Sequence, residues 1–191
     1  MTPYTLYRSV MDQSRLPVFF EQWGVPDTIE GRFDLLIAHS VLVLKRLKAV
    51  QGERAEEAAD RSQNFADVLF KDLDRAMRET GVSDVGVPKK MNKLASAFFG
   101  RGKAFTQALD AQDRAAMIEA VQRNFSETTV DRPAEVGEAP GSPLNAEALA
   151  DYLIRVDASL HDQSDDDLLS GMPVWPSWPE NLQQAGDVSA A

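Results

Sequence analysis

Phe33-Asp-Leu-Leu-Ile-Ala-His-Ser-Val-Leu-Val-Leu-Lys-Arg-Leu47 is the stretch that decides the fold. Its apolar residues run almost all the way round a helical wheel, which reads as a buried central helix rather than an amphipathic surface one. The flanks agree. Gly24-Val25-Pro26 is a turn, and Asp27, with Glu30 three residues on, supplies a capping box that opens the helix. The fully uncharged run Leu35–Leu44 would be about 15 Å long as a helix, half the ~30 Å hydrocarbon core of a bilayer. It therefore reads as a core helix, and no segment reads as a signal peptide or a membrane span.

Outward from it, the periodicity stays helical. A first helix starts after Thr2-Pro3 and breaks at Pro17, followed by an apolar patch at Val18-Phe19-Phe20 and Trp23. From about Glu53 to Thr80, Phe65, Leu69, Leu73 and Met77 stack on one face, with Asp67–Lys71 and Asp74–Arg78 at pairing distance outside. Beyond Pro88, residues Met91, Leu94, Ala95, Phe98, Gly102, Phe105 and Leu109 share one arc, and Lys89, Lys93, Ser96, Gly100 and Lys103 lie opposite. Gln112–Phe125 carries Met117, Val121 and Phe125 as its stripe. A last helix, Ala146–His161, is capped by Asn145 and carries Leu149, Leu153 or Tyr152, Val156 and Leu160. No strand pattern appears.

The expected architecture is all-α: a single helical domain of about six to seven helices with an acidic, Pro/Trp-containing C-terminal extension. The expected boundaries are a core over 1–130, a Pro/Gly linker over 131–144, a docking helix over 145–163 and a tail over 164–191. Met172-Pro-Val-Trp-Pro-Ser-Trp-Pro179 suits polyproline II, with Trp175 and Trp178 along one edge. Such tryptophans seek a groove, on their own domain or on another chain.

Charge divides the chain. Residues 1–130 hold 18 basic and 18 acidic side chains, whereas 131–191 hold Arg132 and Arg155 against 12 acids, which accounts for the net charge of −10. A neutral body with an acidic extension is no DNA binder, which needs cationic surface. The absence of cysteine excludes disulfides, thiolate metal sites, iron–sulfur clusters and a cysteine nucleophile.

Catalytic motifs are near-misses. Gly81-x-x-x-x-Gly86 has Val87-Pro88 where a phosphate loop needs Lys-Ser/Thr. Asp157, His161 and Asp165 are spaced for one helix face but read as helix-end charges, and Asp165-Asp166-Asp167 lacks the alternation of a calcium loop. His39 reads as a hydrogen-bonded core histidine. No catalytic, cofactor-binding or metal residue is assigned. The informative feature is Pro88–Leu109, with Lys89, Lys90, Lys93, Arg101 and Lys103 and no acid between Asp84 and Asp110. It is a solvated helix face, or it holds an anionic membrane, RNA, an acidic protein or the chain's own acidic tail.

Gly24-Val-Pro-Asp-Thr-Ile-Glu-Gly-Arg-Phe33 with His39, Asp72-Leu-Asp-Arg75 with Arg78-Glu79-x-Gly81-Val82, and Asp84-Val-Gly-Val-Pro-Lys-Lys-Met91 leading to Ala97-Phe-Phe-Gly-Arg101 together resemble the ubiquinol–cytochrome c chaperone family. The resemblance covers about 24–125, with a looser echo through 146–161. Ile29 stands where an aromatic is common and Phe99 where tyrosine is common. The resemblance implies an all-helical assembly factor, not an enzyme. Its client would be newly made cytochrome b or another reductase subunit, with a small partner protein or the ribosome alongside. It also implies a cytoplasmic protein at the inner face of the membrane. The residues expected to meet the client are Lys89, Lys90, Lys93, Phe99, Arg101 and Lys103. The competing reading is a ribosome- or RNA-associated module using the same basic helix.

Overall fold

A computed structural model of the protein describes residues 4–79, 86–126 and 143–176. Every regular element among them is a helix: α1 (Tyr4–Ser14), α2 (Val18–Glu21), α3 (Ile29–Lys48), a 3₁₀ turn (Gly52–Arg54), α4 (Ala55–Glu79), α5 (Val87–Asp110), α6 (Arg114–Ser126), α7 (Ala146–Asp162) and α8 (Asp165–Leu169). The helix that is apolar all round is the axis of the bundle. α3 touches α1, α4, α5, α6 and α7, and from Asp34 to Val43 every one of its residues is buried. A helix surrounded on all sides has no solvent face to keep polar, which is why its pattern lacks amphipathicity.

The entry to α3 differs from the expected capping box. Thr28, not Asp27, is the N-cap, with extended backbone and its hydroxyl accepting from the Gly31 N–H at 3.0 Å. Asp27 instead takes Arg32 as a two-point pair, at 2.6 and 3.0 Å. The chain folds back so tightly that a Cβ on Gly31 would stand 2.0 Å from the Pro26 carbonyl oxygen. Position 31 therefore requires glycine for space rather than for backbone freedom.

The other helices keep their expected stripes with shifted ends. α4 is preceded by the 3₁₀ turn and starts at Ala55, with Phe65 and Leu69 buried. Asp74 and Arg78 pair at 2.7 Å, while Asp67 accepts a hydrogen bond from Gln63. α6 starts at Arg114 rather than Gln112, because Gln112 adopts φ 51° and Asp113 caps the helix by accepting from the Ala116 N–H. In α7 Tyr152 and Leu153 are both buried, and Asn145 caps as expected. The α5 stripe is buried at Phe98, Phe105 and Leu109 but only half-buried at Met91 and Leu94.

The chain after α7 returns over the core. Gln163 holds Val174 at two points, its amide nitrogen donating to the carbonyl and its oxygen accepting from the N–H, both at 2.8 Å. Trp175 donates to the Ser9 hydroxyl at 3.0 Å and sets its ring edge-on to His39, so this tryptophan packs on its own chain. Trp178, most of the 131–144 linker and all of the Gly81–Gly86 loop except Gly86 lie outside the described residues.

Candidate functional site

α3 and α5 cross closely because Gly102 gives Val41 room. A Cβ at 102 would already sit 3.3 Å from a Val41 methyl. Beside this crossing lies a groove of about 670 Å³. Val41, Leu44, Phe98, Phe99 and Gly102 form its apolar part, and Lys45, Lys48, Lys103, Asp110, Asp157 and His161 its polar part.

The polar rim is unequal. Lys45 contacts Asp157 at 3.0 Å and Asp110 at 3.3 Å, tying α3 to both α7 and α5. Burial works against the Lys45 ammonium, but the hydrogen bonds and charges of Asp157 and then Asp110 outweigh it and raise its pKa. Arg46 is likewise used, bridging to Asp165 at 2.7 Å and to the Leu160 and Gln163 carbonyls. Lys48 and Lys103 form no ion pair among the described residues. Among the described residues the groove therefore keeps two cations without an ion-pair partner.

Among the residues expected to meet a client, Lys89, Lys93 and Lys103 are exposed on the outer face of α5. Phe99 is 68% exposed with its ring edge-on to Phe98 at 5.6 Å. A phenylalanine held half out of the core is costly in water, by roughly 25 cal/mol per Å² of apolar area. The Lys90 side chain lies outside the described residues. Arg101 stands apart from the others. It turns inward to Asp34, 2.5 Å away, with only 17% of its side chain exposed, and donates to Asn124 at 3.3 Å. Its position on the helix wheel falls between the two faces, and its length lets it reach the core side.

Lys45, Lys48, Val41 and Leu44 were not among the expected site residues. They belong to a helix that reads as wholly buried, and only the crossing with α5 shows which side of its last turns is open.

His39 is a core histidine, fully buried, with its pKa lowered to about 4, first by burial. Its hydrogen bonds define one direction. A carbonyl only accepts, so Nδ1 donates to Leu35 O at 2.7 Å and Nε2 must accept. The Tyr152 hydroxyl, held protonated chiefly by burial, donates to Nε2 at 2.8 Å and accepts from Gln13 at 2.9 Å. Asp157 and Asp165 go separately to Lys45 and Arg46 and His161 is exposed, so that trio does not converge. Among the described residues no group of three or more His, Asp or Glu side chains is placed to hold a metal. Among them too, no helix is long and apolar enough to cross a membrane.

Comparison with known proteins follows the same lines. The family model described as ubiquinol-cytochrome C chaperone matches residues 21–175. The crystal structure of the Cbp3 homolog from Brucella abortus superposes with a TM-score of 0.75 at 31% identity, covering 95% of this chain and 90% of that one. A comparison with curated proteins gives no match. With its all-helical fold and a match extending from α2 to the Trp175 return, the chain belongs to the ubiquinol–cytochrome c chaperone family.

Proposed function

We propose that this protein is a non-catalytic assembly chaperone that binds newly made cytochrome b, or a related membrane subunit, while the ubiquinol–cytochrome c reductase is built. The observation that carries this reading is the family match over residues 21–175. The surface supports it: an exposed phenylalanine beside an apolar groove, flanked by lysines with no ion pair among the described residues, suits holding a protein segment. Lys89, Lys90, Lys93, Phe99 and Lys103 are the proposed client contacts, with Arg101 fixing α5 against α3 beneath them. A small partner protein and peripheral contact with the cytoplasmic face of the membrane belong to the same reading.

Affinity purification from gently solubilised membranes at moderate salt, with mass spectrometry of what is retained, tests it. Enrichment of cytochrome b or other reductase subunits is the expected result. Recovery of neither, under conditions that preserve the reductase, overturns it. The lysine row also favours a second reading, a ribosome- or RNA-bound module. Retained ribosomal proteins, lost on nuclease treatment and falling steeply with salt, would establish that one instead.

A further inference from the structure

The groove between α3 and α5 is concave, and its chemistry describes a guest. We propose that it takes an amphipathic α-helix whose apolar row is flanked by carboxylates. The inference rests on the chaperone reading and names the kind of client segment the site would hold.

Three observations converge. First, shape: the groove is a trough with Val41 and Leu44 on one side and Phe98 and Phe99 on the other. From Phe98 to Asp110 it runs about 18 Å along α5, the length of three to four helical turns. A flat bilayer surface would meet the rim and leave the floor uncovered, whereas a helix lowers one row of side chains into it. Second, charge: Asp110 and Asp157 are engaged by Lys45, while Lys48 and Lys103 have no carboxylate among the described residues. A guest with acids beside its apolar row supplies the missing partners, and one with lysines there is repelled. Third, approach: α5 presents Ser96, three residues before Phe99, and Gly100, the residue after it, outward, and a Cβ at Gly100 would meet nothing within 4 Å. Backbone can come close there with Phe99 as the anchor.

The test uses the full chain and designed peptides of roughly 18 residues, long enough to be partly helical alone. One carries a leucine row flanked by glutamates; the other has the same row flanked by lysines. Vesicles of phosphatidylcholine and phosphatidylglycerol are the third probe. Calorimetry should show the acidic peptide binding about tenfold or more tightly than the basic one. The amide signals of α3 and α5 around Val41, Phe99 and Gly102 should move on titration. Phe99→Ser should weaken the acidic peptide about tenfold. The double variant Lys48→Glu/Lys103→Glu should reverse the preference between peptides. These positions are on the surface, so circular dichroism should show each variant folded.

Equal affinity for both peptides overturns the proposal, as does indifference of the acidic peptide to the variants. Binding to vesicles but to neither peptide would give the surface to lipid and overturn it as well. A dimer broken by Phe99→Ser would give the groove to a second copy, with the same consequence. The two levels separate cleanly. If reductase subunits purify equally with wild type and Phe99→Ser, the chaperone reading stands and the groove assignment fails. If the peptide binds as expected and no reductase subunit is retained, the groove stands and the client reading fails.

Discussion

Arg101 on α5 and Asp34 on α3 form an ion pair at 2.5 Å in which the aspartate side chain is 3% and the arginine side chain 17% exposed. Five cations lie between Pro88 and Lys103 in sequence, and this one is structural in placement. Two charges brought out of water need each other more than they stabilise the fold together.

Removing one partner should therefore be expensive. Asp34→Ala or Arg101→Ala is expected to lower stability by about 3–5 kcal/mol, because each removes the opposite charge that compensates a buried one. The double variant Asp34→Leu/Arg101→Met should recover most of that loss. Urea unfolding of the three proteins checks it, and equal loss in single and double variants would show that packing, not charge, dominates at the site.

Acid should act through His39. Its pKa lies near 6.5 in an unfolded chain and about 4 in the fold. Between those values the unfolded state binds the extra proton, so stability falls as pH drops through that window and is indifferent to this group above it. The size is about 3 kcal/mol for a shift of this extent. Unfolding free energy measured from pH 7.5 to 4 should slope downward in wild type, and the slope should flatten in His39→Gln, whatever that variant does to absolute stability.

Two glycines in helices should answer oppositely to alanine. Gly31→Ala places a methyl 2.0 Å from the Pro26 carbonyl oxygen, and overpacking against backbone costs about 1–3 kcal/mol or more. Gly100 faces open space inside a helix, where alanine stabilises by about 0.5–1 kcal/mol. Paired thermal melts read both; a destabilising Gly100→Ala would mean that position is covered in the folded chain.

Reversing Lys89, Lys93 and Lys103 to glutamate should leave the fold nearly untouched, within about 0.5 kcal/mol per site. Retention of reductase subunits in the purification described above should nevertheless collapse. Unchanged retention would remove the lysine row from the binding surface.

Much of this molecule is written locally. The all-round apolarity of Phe33–Leu47 made α3 the axis before any neighbour was known, because a helix without a polar face has to be enclosed. The 3.6-residue stripes of α4, α6 and α7, the Asn145 cap and the core nature of His39 follow from the same short-range chemistry. The helix ends were less legible. Thr28 displaced Asp27 as a cap because Arg32, five residues on, claims the aspartate.

The site divides along the same line. Lys89, Lys93 and Lys103 sit on the outer face of one helix, with Phe99 on its flank, and helical spacing alone places the lysines there. That Arg101 leaves this row for Asp34, that Lys45 is spent on Asp157 and Asp110 while Lys48 is not, and that Val41 and Leu44 open onto a groove were decided only by the crossing of α3 with α5. Periodicity says which side of a helix seeks cover. Which charge meets which across 60 or 110 residues of chain is a property of the packed bundle, since those distances exist only once it has formed.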